Sequence, residues 1–406
     1  MSRIRPPATA LAFLAFLSAC YGSSTESRER VVLGGPVNGL TAAERAAFER
    51  GKLVFQRRFA PEDGLGPRYN ATSCESCHSE PTTGGSAQLY RNFFLGMEGA
   101  PGHQTPLPGL SSAVIPSFGA GSEFSTERGR TNLAAMTGTT ITLAQRNSLP
   151  LFGVGLFEFV SDATILARAD PNDEDGDGIS GRFNTDNGTV GRFGVKAQSN
   201  NVELFTRAPL MNQLGITSDP FQGSGGTVSL GPPQVSSSPD TPTSDGDTRA
   251  DPELPRRDLG DLIAFTRFLA PPEPLSLDTQ ARRGEALFEE LGCARCHVPE
   301  LPTSRFGTIR PFTDLLLHDL GPELADGLAF GVPQAAALAP PTAAGEFRTQ
   351  PLWGVSLSGP FLHDGRAETL REAIELHGGE ARASTDRFLA RTPGEQDDLI
   401  AFLEHL

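Results

Sequence analysis

Residues 293–297 read CARCH, and residues 74–78 read CESCH. Two thiols two residues apart, followed at once by an imidazole, suit covalent attachment of haem. The thiols add to the two vinyl groups and the adjacent histidine reaches the iron from the same side. A four-cysteine zinc site, a thioredoxin-like dithiol or structural disulfides would use the same cysteines. None of these requires a histidine after both pairs. The spacing therefore predicts two covalently bound haem c groups. One is held by Cys74 and Cys77, the other by Cys293 and Cys296, with His78 and His297 as proximal iron ligands.

The chain repeats itself outward from these two points. AAERAAFERGKLVF (42–55) precedes the first unit and TQARRGEALF (279–288) the second; both have helical apolar spacing and share R-G-x-x-x-F. DLIAF recurs at 261–265 and 398–402, and PLFGVGL (150–156) matches PLWGVSL (351–357) at five of seven positions. A helix before the haem and a helix closing the domain is the plan of a small cytochrome c. The expectation is a mainly α chain of two tandem cytochrome c-like domains, residues 39–272 and 276–406, with long loop insertions in the first. The stretch 221–251, rich in Gly, Ser, Pro and Thr, reads as a surface loop or a partly disordered one.

With 406 residues, 38% hydrophobic and 20% charged, the composition is that of a soluble globular protein of two or more domains. The net charge of -15 argues against nucleic acid and anionic membrane surfaces as partners, because a phosphate binder needs a basic face. It points instead to a small molecule or a basic protein. Residues 1–19 carry two arginines and then an apolar run too short to span a bilayer, the pattern of a secretory signal. LSAC, ending at Cys20, resembles the lipobox of bacterial lipoproteins; an ordinary signal cleaved nearby is the alternative. The expectation is an exported, periplasmic protein anchored through a lipid on Cys20, its only membrane contact, with residues 20–38 as a tether.

Longer phrases carry a family resemblance. GLGPRYNATSCESCH (64–78), DPNDEDGDGISGRFN (170–184), GRFGVKAQ (191–198), FTDLLLHDLG (312–321) and PLWGVSLSGPFLHDGRAETLREAI (351–374) resemble the bacterial di-haem cytochrome c peroxidase superfamily. Within it they are most similar to the di-haem oxidoreductase branch. The resemblance implies an electron-transfer haem with two axial ligands in the C-terminal domain and a peroxide-reducing haem in the N-terminal one. It places the distal ligand, usually methionine, 14 residues after the histidine of H-D-G; here that residue is His377. A bis-histidine second haem follows, with a lower potential than a methionine-ligated one. The alternative is a helix-terminal histidine before the glycine pair. The resemblance makes His363 a residue bonding at the haem edge; it could also replace His377 as ligand. His318 has a similar haem-edge reading.

Aligning the two halves puts Asp173 where His377 stands, so the first haem lacks the equivalent ligand. An open iron position is what peroxide needs, although Met97, His103, Met136 or Met211 could supply a ligand from elsewhere. The resemblance makes Glu158 the acid nearest the peroxide pocket; a helix cap or a pair with Arg146 is the structural alternative. Asp173, Asp175, Asp177 and Gly178 form the start of a calcium loop, though Asn184 stands where a bidentate glutamate would close it; a solvated acidic turn is the alternative. Trp353 could relay electrons or simply fill the core. The function expected is a peroxidase-like oxidoreductase acting on hydrogen peroxide. Electrons would come from a small cytochrome or cupredoxin, pass to the C-terminal haem and then to the N-terminal one. The alternatives are a di-haem electron carrier and an oxidase of a protein or thiol substrate.

Overall fold

Thr41 begins the first long helix, α1 (Ala42–Gln56), with a reciprocal cap. Its hydroxyl accepts the Glu44 N–H at 3.2 Å, and the Glu44 carboxylate accepts the Thr41 N–H at 2.9 Å. Three further long helices are α2 (Arg256–Phe268), α3 (Thr279–Glu290), capped by Asp278, and α4 (Pro393–Leu403), capped by Thr392 and Glu395 as α1 is by its pair. This computed structural model describes residues 32–100, 104–107, 110, 112–119, 141–186, 188–218, 247–328 and 343–406. Cys20, His103, Met136 and most of the Gly- and Ser-rich stretch lie outside the described residues. Among the described residues no helix is long and apolar enough to cross a membrane.

The long helices pack as two like pairs, α1 on α2 and α3 on α4. Ala47, Phe48, Gly51 and Phe55 bury one face of α1, and Ala281, Gly284, Leu287 and Phe288 bury that of α3. A Cβ at Gly51 would run into the Asp261 carbonyl oxygen, and one at Gly284 into that of Asp398, so each pair crosses where only glycine fits. Beside each crossing an arginine forks onto an aspartate. Arg50 Nε and Nη2 meet Asp261 at 2.7 and 2.7 Å, and Arg283 Nε and Nη2 meet Asp398 at 2.6 and 2.7 Å. The ends of each half are also tied alike: Val37 N–H donates to Phe268 O at 2.9 Å, and Leu275 N–H to His405 O at 2.8 Å.

Leu301, Ile309, Leu315, Leu316 and Trp353 from the second half pack into the apolar core of the first, so that the described residues cluster as one compact unit. The region expected as loop insertion also carries an antiparallel sheet. Strand β1 (Phe93–Glu98) pairs with β2 (Ile141–Arg146) along its length and with the short strands Thr105–Pro106 and Val114–Ile115. In the second half β3 (Leu317–Asp319) pairs with β4 (Glu346–Arg348), which sets His318 opposite Phe347.

Candidate functional site

Both C-x-x-C-H units are tight turns; the second comes directly after α3, and the first follows α1 after the turn Pro61–Asp63 and the short strand Arg68–Tyr69. Cys77 N–H donates to Cys74 O at 3.1 Å, and His297 N–H to Cys293 O at 2.9 Å. The four cysteines form no disulfide. Burial pushes the Cys74 thiol up to about 12, the Cys293 thiol up to about 11, and Cys77 upward as well. These are protonated thiols in apolar surroundings, the reverse of the low-pKa dithiol of a redox motif. Among the described residues the four cysteines do not converge; the groups with metal-binding geometry are Cys296, Asp314, His318 and Asp170, Asp173, Asp175. A four-cysteine zinc site is thereby excluded.

The R-G-x-x-x-F repeat now has a reason for each letter. Arginine makes the fork, glycine allows the helix crossing, and phenylalanine backs the histidine. The Phe55 ring lies 6.1 Å from that of His78, and the Phe288 ring 6.5 Å from that of His297. His78 Nδ1 donates to Gly85 O at 3.0 Å, and His297 Nδ1 to Phe312 O at 3.0 Å. A backbone carbonyl on Nδ1 fixes the tautomer that presents Nε2 to a metal. Burial holds His78 below its ordinary value and His297 down at about 4, so both rings are neutral donors at neutral pH. The residues present thus fit covalent haem.

His377 follows the short helix Leu370–Glu375, which Thr369 and Glu372 cap reciprocally. Its Nδ1 donates to Ala373 O at 2.5 Å, and its carbonyl accepts the Thr385 hydroxyl at 2.8 Å. This is the ring arrangement of His78 and His297 again, with Nε2 as the other nitrogen. His377 is also near enough to His297 to oppose its protonation, second only to burial. His363 lies elsewhere: its buried ring stacks on Phe347 at 4.1 Å and 16°, and its carbonyl accepts the Asn147 N–H at 2.9 Å. Burial first, then the Arg146 charge, push it down to about 4.

His318 is buried between two carboxylates, with Nε2 2.9 Å from Asp314 and Nδ1 2.7 Å from Glu380; Nδ1 is also 3.7 Å from Cys296 Sγ. Burial alone would lower it, but Asp314, Cys296 and Glu380 together hold it well above its ordinary value. Sequence reasoning missed both acids. The spacing of Asp314 and His318, four apart, was the available signal for one of them. Glu380 also accepts the Ser180 hydroxyl at 2.6 Å and the Asp319 N–H at 3.1 Å, tying the turn after His377 to β3 and to the end of the acidic loop.

Glu158 lies in the turn Val154–Phe159, pairs with the buried Arg267 and accepts the Val202 N–H at 3.1 Å. Arg146, the partner considered from sequence, instead meets Asp326. In the acidic loop Asp170, Asp173 and Asp175 come together, whereas Asp177 Oδ2 pairs with Arg295 Nη1 at 2.9 Å, inside the second attachment motif. Of the expected Asp173, Asp175 and Asp177, the first two thus lie together with Asp170, and the third faces Arg295. Trp353 is buried and stacks on Phe157. Met97 is a core residue packed with Leu95, Ala144 and Leu328.

Residues 120–406 match the family model described as "Di-haem oxidoreductase, putative peroxidase". The chain is 33% identical over 140 residues to methylamine utilization protein MauG of Methylorubrum extorquens, covering 32% of this chain and 35% of that protein. It is 28% identical over 167 residues to cytochrome-c peroxidase IdrP1 of Denitromonas iodatirespirans, covering 36% and 44%. The chain thus spans less than half the length of the curated relatives it matches. Among solved structures, a MauG-like protein associated with microbial copper homeostasis is similar with a TM-score of 0.41 and 17% identity, covering 92% of each chain. The diheme peroxidase BthA from Burkholderia thailandensis is similar with a TM-score of 0.33 and 17% identity, covering 63% of this chain and 85% of that one. With the family model matched over well more than half its length, this chain belongs to the di-haem oxidoreductase family.

Proposed function

We propose that this chain is an exported, peroxidase-like di-haem oxidoreductase whose halves, 39–272 and 276–406, each hold one haem c. The haems supply one-electron chemistry when bound through the two C-x-x-C-H units. The second half, with His297 and His377, takes electrons from a small cytochrome or cupredoxin. The first half, with His78, is where hydrogen peroxide is reduced; two electrons and two protons convert it to two waters. Glu158 moves a proton between the peroxide oxygens. Asp170, Asp173 and Asp175 hold calcium, and a lipid on Cys20 anchors the chain on the periplasmic side of a membrane.

The observation that carries this reading is the asymmetry of the halves. His377 lies near enough to His297 to oppose its protonation, whereas Asp173, its counterpart by alignment, lies in a turn where its carboxylate accepts the Gly178 N–H at 3.1 Å. A second reading, a di-haem electron carrier, draws on the pairing of Glu158 with Arg267, which gives that acid a structural role. Spectra of the oxidised and half-reduced protein separate the two. A five-coordinate high-spin component that reacts with peroxide is expected for the enzyme; six-coordinate low-spin iron in both states overturns it. Mass spectrometry should find two haems, and one after Cys293→Ala with Cys296→Ala. Cys20→Ser should release the protein from membranes.

A further inference from the structure

Arg348, the last residue of β4, is 5% exposed and has no carboxylate partner among the described residues. The other side-chain cations buried to this degree each meet an acid: Arg146 and Lys196 meet Asp326, Arg192 meets Asp162, Arg207 meets Glu203 and Arg267 meets Glu158. Arg348 makes only neutral contacts. Nε donates to Gly194 O at 3.0 Å, Nη1 to Thr349 O at 3.2 Å and Nη2 to Gln350 Oε1 at 2.9 Å. A guanidinium has five N–H groups, so two are left over. Burial pushes Arg348 down to about 10, which is the mark of a charge removed from water without compensation.

The neighbouring residue makes the same point independently. Thr349 Oγ1 is buried and has no hydrogen-bond partner. Its carbonyl accepts the Thr313 hydroxyl at 2.7 Å, and Thr313 follows Phe312, whose carbonyl holds His297 Nδ1. The acid whose charge Arg348 feels, Asp314, is engaged by His318 Nε2 and by the Leu316 N–H at 2.9 Å each. On its other side the guanidinium lies 5.9 Å from the centre of the Phe157 ring. Unspent donors thus gather at the seam of the two halves, beside the loop that orients the second proximal histidine.

We propose that Arg348 and the Thr349 hydroxyl form a binding site for a buried carboxylate, supplied by a propionate of the second haem. A planar guanidinium with two free N–H groups and an adjacent hydroxyl matches a carboxylate in shape, hydrogen bonding and charge. The pairing supplies an acid to the buried cation that lacks one among the described residues, and it ties the haem to β4. A fixed positive charge there favours the reduced haem. The inference rests on the reading that His297 and its two cysteines hold haem c.

The test uses the full haem-loaded protein and the variants Arg348→Met and Thr349→Val. Mass spectrometry first establishes two haems per chain; finding fewer refutes the haem reading itself, separately from this site. With two haems in place, Arg348→Met should make the potential of the second haem more negative, and Thr349→Val should shift it the same way by less. The resonance Raman propionate-bending band of that haem should move in both variants, a change that a merely structural arginine would not produce. If Arg348→Met does not fold, Thr349→Val decides through the same band. An unmoved band in the variants that fold overturns the site. Shifts confined to the first haem overturn its assignment to the second.

Discussion

Trp353 stacks on Phe157 with ring centres 5.5 Å apart and planes 9° from parallel, so the single tryptophan of the second half plugs the core of the first. Truncating a buried tryptophan removes apolar contact and leaves a cavity. Trp353→Ala should cost about 3–5 kcal/mol, read as a lower midpoint in urea unfolding, and Trp353→Phe should cost less. An unchanged midpoint would mean that the halves do not depend on this plug.

The two helix crossings make a paired prediction. Gly51→Ala and Gly284→Ala each push a methyl into a carbonyl oxygen of the partner helix. Each should cost about 1–3 kcal/mol or more, whereas Gly394→Ala, with open space around it, should cost far less. Thermal melts of the three variants test the ranking.

His377 and His363 are distinguished by their surroundings. If His377 is the proposed sixth ligand, His377→Ala should convert a low-spin second haem to high spin; its ring lies near enough to His297 to oppose that ring's protonation. His363→Ala should leave that haem low-spin, since its ring packs on Phe347 instead. Electron paramagnetic resonance of the oxidised variants checks both; the opposite pattern would exchange the assignments.

The acidic loop reaches the second attachment motif through Asp177 and Arg295, and the turn after His377 through Ser180 and Glu380. Chelation should therefore lower the melting temperature and perturb the spectrum of the second haem, and Asp170→Ala with Asp175→Ala should reproduce the effect. Insensitivity of both to exhaustive chelation would leave the loop a solvated turn.

Lys196 is buried with its ammonium 3.8 Å from the centre of the Phe347 ring, and burial lowers it to about 8 despite Asp326 nearby. A lysine depressed in the folded state is more protonated in the unfolded chain between about pH 8 and its ordinary 10.5. Its contribution to stability is thus greatest above that window and is lost as pH falls through about 8. Relative to Lys196→Met, the native protein should gain stability as pH rises across this range, measured by denaturant unfolding. A constant difference would disprove the linkage.

What could be read from sequence was local. The C-x-x-C-H turns, the R-G-x-x-x-F faces and the DLIAF helices are set by spacings of a few residues, and each has its expected place in the fold. Pairings between distant residues were not legible: Glu158 meets Arg267 rather than Arg146, and Glu380 reaches back to His318. Strand β1, FFLGME, lacks regular alternation and is soon followed by glycine and proline, so its pairing with β2 declares itself only in three dimensions. Arg348 carries no motif at all; only the missing partner marks it.

The hydrogen bonds from Val37 to Phe268 and from Leu275 to His405 bring the first and last strands of chain in each half together. The ends of each half therefore lie side by side, and Leu269 and Ala270, which begin the connection between the halves, are still held in the first: Leu269 O accepts the Gly153 N–H at 3.1 Å and Ala270 N–H donates to Gly35 O at 2.9 Å. Opening the chain in a surface turn of one half and rejoining that half's own neighbouring ends would keep every helix pair and both histidine pockets. The architecture is in that sense indifferent to the order in which its halves are threaded.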